Sequence, residues 1–293
     1  RILQVLGLTL LLLMIWVAVT LAVAHLQVRG SRTPPPTDAH LAALKSEQGP
    51  VALHFLNTSE QALAENTLTH SVFVLEWSDG SLFLIDAGMS ESRAVDFGEL
   101  IALLLGAEEP TVHGTVGSLL GEKRFDVKGI GFTHLHIDHT EGLSTLCSGG
   151  RQSIRLVQTQ WQHEEHNFNT REGASIVESS CLDRIGDWKS LFPGLGVFPI
   201  GGHTPGSTLF ATWIDEQLFL FPGDTTNSKR EILQDSGKGV IYSYLLVPED
   251  TRQTAALRKW LKEKDSDSAV RVLVSHDLED IRQQGVAPLQ PGP

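Results

Sequence analysis

The chain has 293 residues, 41% of them hydrophobic and 20% charged, a composition that suits a globular protein with a large core and excludes a disordered one. Its formal charge is -12, from 35 acidic and 23 basic residues. An excess of that sign repels phosphate backbones, which argues against nucleic acid as a partner and against a strongly anionic substrate unless metal ions offset the charge locally.

The segment from Ile2 to Ala24 is almost wholly apolar. At about 20 residues or more it is long enough to cross a bilayer as a helix. Two readings compete for residues 1–28. The length favours a retained transmembrane signal anchor, whereas Ala22-Val23-Ala24 fits the small-x-small site of a cleaved signal peptide. Either one directs the chain to a membrane and exports the folded part to a periplasmic or extracellular space. Residues 29–37, with Pro34-Pro35-Pro36, read as a stiff, extended linker. That leaves 38–293 as one folded domain, with no second linker and no internal repeat. Cys147 and Cys181 fit a disulfide in an exported protein or two independent buried thiols, a choice that depends on their separation in space.

Along the domain, Val51 to Phe55 reads as a short strand. Ser71–Trp77 and Ser81–Ile85 flank Asp79-Gly80 and read as a β-hairpin. Val95, Leu100, Leu103 and Leu104 suggest a helix from Arg93 to Leu105. Lys128 to Thr133 is a strand whose glycines imply close backbone approaches. It runs into Thr133-His134-Leu135-His136-Ile137-Asp138-His139-Thr140-Glu141-Gly142. Glu141 to Leu146 then reads as a helix start, Ile154 to Val157 as a strand, and the stretch to His166 as a polar helix. Val197 to Ile200 is a strand ending at Gly201-Gly202-His203. Thr208–Ile214 and Gln217–Phe221 form a hairpin that ends at Pro222-Gly223-Asp224. Thr225 to Leu246, with Tyr242 and Tyr244, reads as a lid or pocket wall. A helix from Thr251 to about Lys264 and a strand from Val270 to Val274 lead to Ser275-His276-Asp277.

Three imidazoles and a carboxylate lie within the six residues His134 to His139, a density that points to a metal. In an extended segment His134, His136 and Asp138 share one side, and His139 needs a turn to join them. His134, His203, Asp224 and His276 each follow an apolar strand, where a rigid scaffold presents ligands to one cleft. The seven candidates His134, His136, Asp138, His139, His203, Asp224 and His276 are too many for one tetrahedral ion but suit two. His163-Glu164-Glu165-His166 lacks the zinc-protease spacing and reads as a solvated helix face.

The ordered set Thr-His-Leu-His-Ile-Asp-His, Gly-His-Thr-Pro-Gly-Ser-Thr, Pro-Gly-Asp and Ser-His-Asp resembles the metallo-β-lactamase superfamily from about Leu53 to His276. The resemblance implies an α/β fold, a four-layer αβ/βα sandwich, here preceded by the N-terminal hydrophobic helix. It implies that His134, His136 and His203 hold one Zn2+, that Asp138, His139 and His276 hold a second, and that Asp224 bridges them. Iron or manganese would accept the same ligands. Asp138 is the candidate catalytic residue, orienting the nucleophile or carrying its proton. Asp86, Thr133 and Asp277 are candidates to fix imidazole tautomers. The implied activity is hydrolysis of a small-molecule ester, lactone or amide, lactonase-like before β-lactamase-like. A non-catalytic metal-binding relative is the reading from another class.

Overall fold

The computed structural model describes residues 2–63, 66–147 and 153–290. Among these are twelve strands: β1 (Ala52–Ala62), β2 (Thr67–Glu76), β3 (Leu82–Ile85), β4 (Thr111–Val112), β5 (Val127–Gly131), β6 (Ile154–Val157), β7 (Leu182–Arg184), β8 (Gly196–Pro199), β9 (Thr208–Ile214), β10 (Gln217–Phe221), β11 (Val270–Val272) and β12 (Ala287–Pro288). The larger sheet runs β12-β1-β2-β3-β5-β6-β7, with β4 also paired to β1, and the smaller runs β11-β10-β9-β8.

Strand alternation sorts the apolar side chains into layers. In β3, Phe83 and Ile85 enter a core that also holds Phe210 and Phe221 of the smaller sheet. Leu82 and Leu84 enter the core on the other face, under Leu120 and Leu143. A strand covered on both faces is apolar throughout, and all four residues of β3 are buried. On the far face of the smaller sheet, Leu209, Leu218 and Leu220 pack with Leu257 and Leu261 of the helix Thr251–Asp265. Helix, sheet, sheet and helix therefore stack around three apolar seams, the four-layer sandwich expected from the motifs.

Both sequence-read hairpins form. Gly80 takes φ 81° in the first, and Asp215 and Glu216 take φ 47° and 62° in the second. β1 is longer than the apolar run that marked it, because its polar second half pairs with β2 beyond a register shift between Asn57 and Ser59. The helix expected from Arg93 spans Glu91–Leu105, but Val95, Leu100 and Leu103 are exposed and Ala94 is buried. The apolar period located this helix without identifying its buried side.

The N-terminal helix spans Ile2–Gly30, so the linker starts at Ser31 rather than Arg29. It is also docked rather than free. Arg32 pairs with Asp250, and the Gln253 side-chain amide donates to the Thr33 carbonyl at 2.6 Å. Ala24 and Val28 are buried, whereas the apolar residues from Ile2 to Val19 are exposed. Cys147 and Cys181 form a disulfide with a Cα–Cα separation of 5.6 Å.

Candidate metal centre

The site begins with β5 pressed against the aromatic seam. A Cβ on Gly129 would stand 2.4 Å from Phe192 Cζ, and one on Gly131 would stand 2.4 Å from Phe210 Cζ. Only glycine lets the strand lie this close. At its end, Asp86 accepts the Thr133 backbone N–H at 2.7 Å and the Thr133 hydroxyl at 2.9 Å. Asp86 itself has φ 68°, a left-handed conformation uncommon outside glycine. The His-rich segment is not extended throughout, as the alternation had suggested. His136 caps a helical turn, Ile137–Thr140, that presents Asp138 and His139. The expected Glu141–Leu146 helix is reduced to Leu143–Leu146. Glu141 accepts the Ser90 backbone N–H, tying this loop to the start of the Glu91–Leu105 helix. Gly142 has no room for a side chain, since a Cβ would meet the Ala87 carbonyl at 2.1 Å.

The other ligand candidates arrive on strand-end turns. His203 follows Gly201 and Gly202, both at positive φ. Asp224 lies in the short turn after β10, where a Cβ on Gly223 would stand 2.5 Å from Thr133 Cβ. His276 follows β11 and donates through Nδ1 to the Thr69 carbonyl at 2.6 Å.

All seven candidate residues converge. Three groups have donor atoms within 4.8 Å of one another: His134, His136 and His203; His134, His139 and Asp224; and His70, Asp138 and His276. Asp224 stands between the two halves. Its Oδ1 is 2.9 Å from His276 Nε2 and 3.4 Å from His139 Nε2, while its Oδ2 is 3.7 Å from His203 Nε2. Asp138 Oδ2 lies 3.5 Å from His139 Nε2 and 3.7 Å from His276 Nε2.

These residues fit a metal. The Nε2 atoms of His70, His136 and His139 are buried without a hydrogen-bond partner. Such groups cost roughly 1–3 kcal/mol each unless something supplies the missing interaction. Burial pushes His136 down to about 3 and His134 well below the usual imidazole value. Burial and the Lys238 charge also lower His203. A neutral imidazole with a free lone pair is the form a metal binds. His139 differs. Burial opposes its charge, but Asp86 and Asp138 outweigh burial and raise it well above the usual value. Asp224 stays ionised because His276 and Lys238 overcome its burial.

Support around the ligands is partly as expected. Asp86 Oδ2 is 2.8 Å from His139 Nδ1, and the Thr133 hydroxyl is 3.2 Å from His134 Nδ1. Asp277 instead caps the helix Leu278–Gln283 and accepts the Lys229 N–H. His163 and His166 stay outside the three groups.

Three contributors were missed in the sequence. His70 lies on β2 with its Nε2 3.7 Å from Asp138 Oδ2 and its Nδ1 3.0 Å from the Ser59 hydroxyl. A histidine in a strand that is otherwise apolar inward was the available signal. Glu249 Oε1 is 2.6 Å from His203 Nδ1, and its Oε2 accepts the Ser243 hydroxyl at 2.6 Å. Lys238 Nζ lies 3.3 Å from Asp224 Oδ2 and 5.2 Å from the centre of the Tyr242 ring. Neither Glu249 nor Lys238 stands near a ligand in the chain, so no local pattern marks them. Lys238, Tyr242 and Ser243 come from the stretch read as a lid or wall, which lies over the centre. A polar cleft of about 900 Å³ borders the centre beside His276, lined by Thr69, Arg230 and Arg282 among others.

The metallo-beta-lactamase superfamily model matches residues 66–276. No curated protein matches the sequence. Among solved structures, an N-acyl homoserine lactone hydrolase with the product N-hexanoyl-L-homoserine bound at its catalytic metal center is 20% identical, with 81% of this chain and 98% of that one covered and a TM-score of 0.58. A quorum-quenching N-acyl homoserine lactone hydrolase is 19% identical over 82% of this chain and 98% of that one, with a TM-score of 0.60. A probable metal-dependent hydrolase from Staphylococcus aureus is 14% identical over 79% and 91%, with a TM-score of 0.53. At these identities the likeness is one of fold. The family match covers most of the folded part and contains all seven converging residues. The chain belongs to the metallo-beta-lactamase superfamily.

Proposed function

We propose that this chain is a two-metal hydrolase that opens lactones or related small esters, with its exported domain tethered by the N-terminal helix. The observation that carries the reading is Asp224, whose two oxygens face different histidine sets. His134, His136 and His203 would hold one ion, and Asp138, His139 and His276 the second, with Asp224 shared. His70 adds a donor on the second side. Zinc is the proposed metal, because imidazole with carboxylate is the ligand set of catalytic zinc sites that keep a position open for water. Bound there, two ions would supply a water acidic enough to attack at neutral pH and would polarise the substrate carbonyl.

The chain's own groups do the rest. Asp138 is the least enclosed of the acidic ligands and stands where a carboxylate can take the proton of the attacking water. It would return that proton to the alkoxide that leaves when the ring opens. Asp86, Thr133 and Glu249 orient the imidazoles. Lys238 and Tyr242 close the centre from above, and the lysine offsets the negative charge of Asp224 and Glu249.

Lactones are favoured as substrates by the bound product in the similar N-acyl homoserine lactone hydrolase. Export is supported by the Cys147–Cys181 disulfide, since such bonds persist in oxidising compartments. Anchoring is supported by the exposed apolar face of Ile2–Val19. The test is metal analysis of the purified protein with a hydrolysis screen over lactones, β-lactams and thioesters. About two ions per chain, with metal and turnover both reduced by His136→Ala, are expected. Undiminished hydrolysis in that variant would sink the proposal, and preferential β-lactam turnover would move the activity to a β-lactamase.

A further inference from the structure

The lid carries an apolar surface that the metal centre does not use. Val240, Ile241 and Leu245 are 74%, 68% and 57% exposed, and Tyr244 and Leu246 are exposed beside them. Five large apolar residues within seven positions make a patch of the kind that marks an interaction site rather than ordinary surface. The lid's other face is committed inward, with Tyr242 against Lys238 and the Ser243 hydroxyl on Glu249.

The neighbour of this patch identifies its partner. The N-terminal helix meets the domain here. His25 Nε2 donates to the Tyr244 carbonyl at 3.2 Å, and the two rings lie 5.4 Å apart. Two residues on, the Gln27 amide donates to the His166 carbonyl at 3.1 Å, and Asn169 donates to the Leu246 carbonyl at 3.0 Å. The apolar run Ile2–Ala24 would extend about 34 Å as a helix, close to the roughly 30 Å hydrocarbon thickness of a bilayer. With the run inserted, His25 falls at the membrane boundary, and so does the lid it touches. Tyrosine at that level is typical of the interfacial layer.

We infer that Val240–Leu246 is a membrane-embedded lip, seated in the lipid interface beside the helix, and that the lid side of the metal centre therefore lies at the bilayer surface. The inference rests on the anchor reading of Ile2–Gly30. Its driving force is apolar burial, because a chain with a formal charge of -12 gains nothing from anionic lipid. A substrate with an apolar tail would then reach the lid from the lipid side while its polar head meets the metal ligands.

The disulfide occupies both cysteines, so a single introduced thiol can be labelled. The full chain is reconstituted into phosphatidylcholine vesicles carrying nitroxide lipids, with an environment-sensitive fluorophore at Leu245→Cys or, separately, Leu10→Cys. Quenching at both positions is expected. Quenching at Leu10→Cys alone overturns the lip and leaves the anchor standing, whereas quenching at neither overturns both. As a second readout, Ile241→Asp with Leu245→Asp should lower turnover of a vesicle-bound dodecanoyl lactone severalfold. Turnover of the soluble butanoyl analogue should be unchanged. Equal loss on both substrates contradicts entry from the lipid side, and loss of all lactone turnover by the parent protein would instead strike the proposed function.

Discussion

Glu249 Oε1 stands 2.6 Å from His203 Nδ1, so a carboxylate 46 positions downstream orients the imidazole whose Nε2 faces His136 and Asp224. The hydrogen bond fixes the proton on Nδ1 and leaves the Nε2 lone pair free. Partners of this kind contribute about 10–100-fold to metal affinity. Glu249→Ala should therefore weaken binding of the first ion by about that factor, and Glu249→Gln, which keeps an acceptor oxygen, should recover part of it. Competition against a chromophoric chelator measures both. Unchanged affinity in the alanine variant would reduce Glu249 to packing.

His70 points its unpartnered Nε2 at the Asp138 side of the centre. His70→Ala should lower affinity for the second ion about 10–100-fold while the first is retained. Metal content after dialysis, near one ion rather than two per chain, is the expected result. Two tightly held ions after dialysis would contradict it.

The two halves of the centre should differ in pH dependence. His139 and His276 have raised values because, against the effect of burial, Asp86 and Asp138 favour the charge on the first and Asp224 favours it on the second. They must shed protons to bind an ion, so affinity of the second site should rise with pH across the neutral range. His134 and His136 are already neutral there, and the first site should respond less. Without metal the sign reverses. The stability that His139 contributes is complete below its unfolded value and lost as pH rises through its higher folded value. Titration calorimetry in buffers of different ionisation heat reads the protons released per ion. Equal release for both ions would rule out this asymmetry.

The Cys147–Cys181 bond closes a loop between residues 34 apart. A crosslink of that span is worth about 3–4 kcal/mol by the loop-entropy argument. Reduction, or paired Cys→Ser replacement, should lower the unfolding midpoint by several degrees without altering metal content. An unshifted midpoint under reducing conditions would show that the bridge adds no stability.

Gly142→Ala should be costly despite its small size. The added methyl would meet the Ala87 carbonyl at 2.1 Å, and backbone on both sides must move. Overpacking of this kind costs about 1–3 kcal/mol and would also displace the Asp138–His139 turn. Denaturant unfolding and metal titration of the variant should show both losses together.

Much of the candidate site was legible because its candidate ligands follow strands that are themselves easy to read. The strand ending at Thr133 and the hairpin ending at Pro222-Gly223-Asp224 carry their ligands on turns next to apolar runs, so pattern and chemistry coincide. His70 was not legible in the same way, since a single histidine in β2 has no ligand-like spacing to a neighbour until Asp138 and His276 are brought to it. The helix at Glu91–Leu105 shows a related limit, because Val95, Leu100 and Leu103 are exposed where the lone period suggested a core.

Side-chain chemistry and short periods were enough to show the candidate ligand types, their order along the chain and the alternation of strands that makes a two-sheet core. The pairing of Cys147 with Cys181, the docking of the Pro-rich linker through Arg32 and Gln253, and the meeting of His203 with Glu249 came from the packed structure alone. Each of these joins residues far apart in the chain, and the burial and geometry that select such partners exist only once the layers have packed.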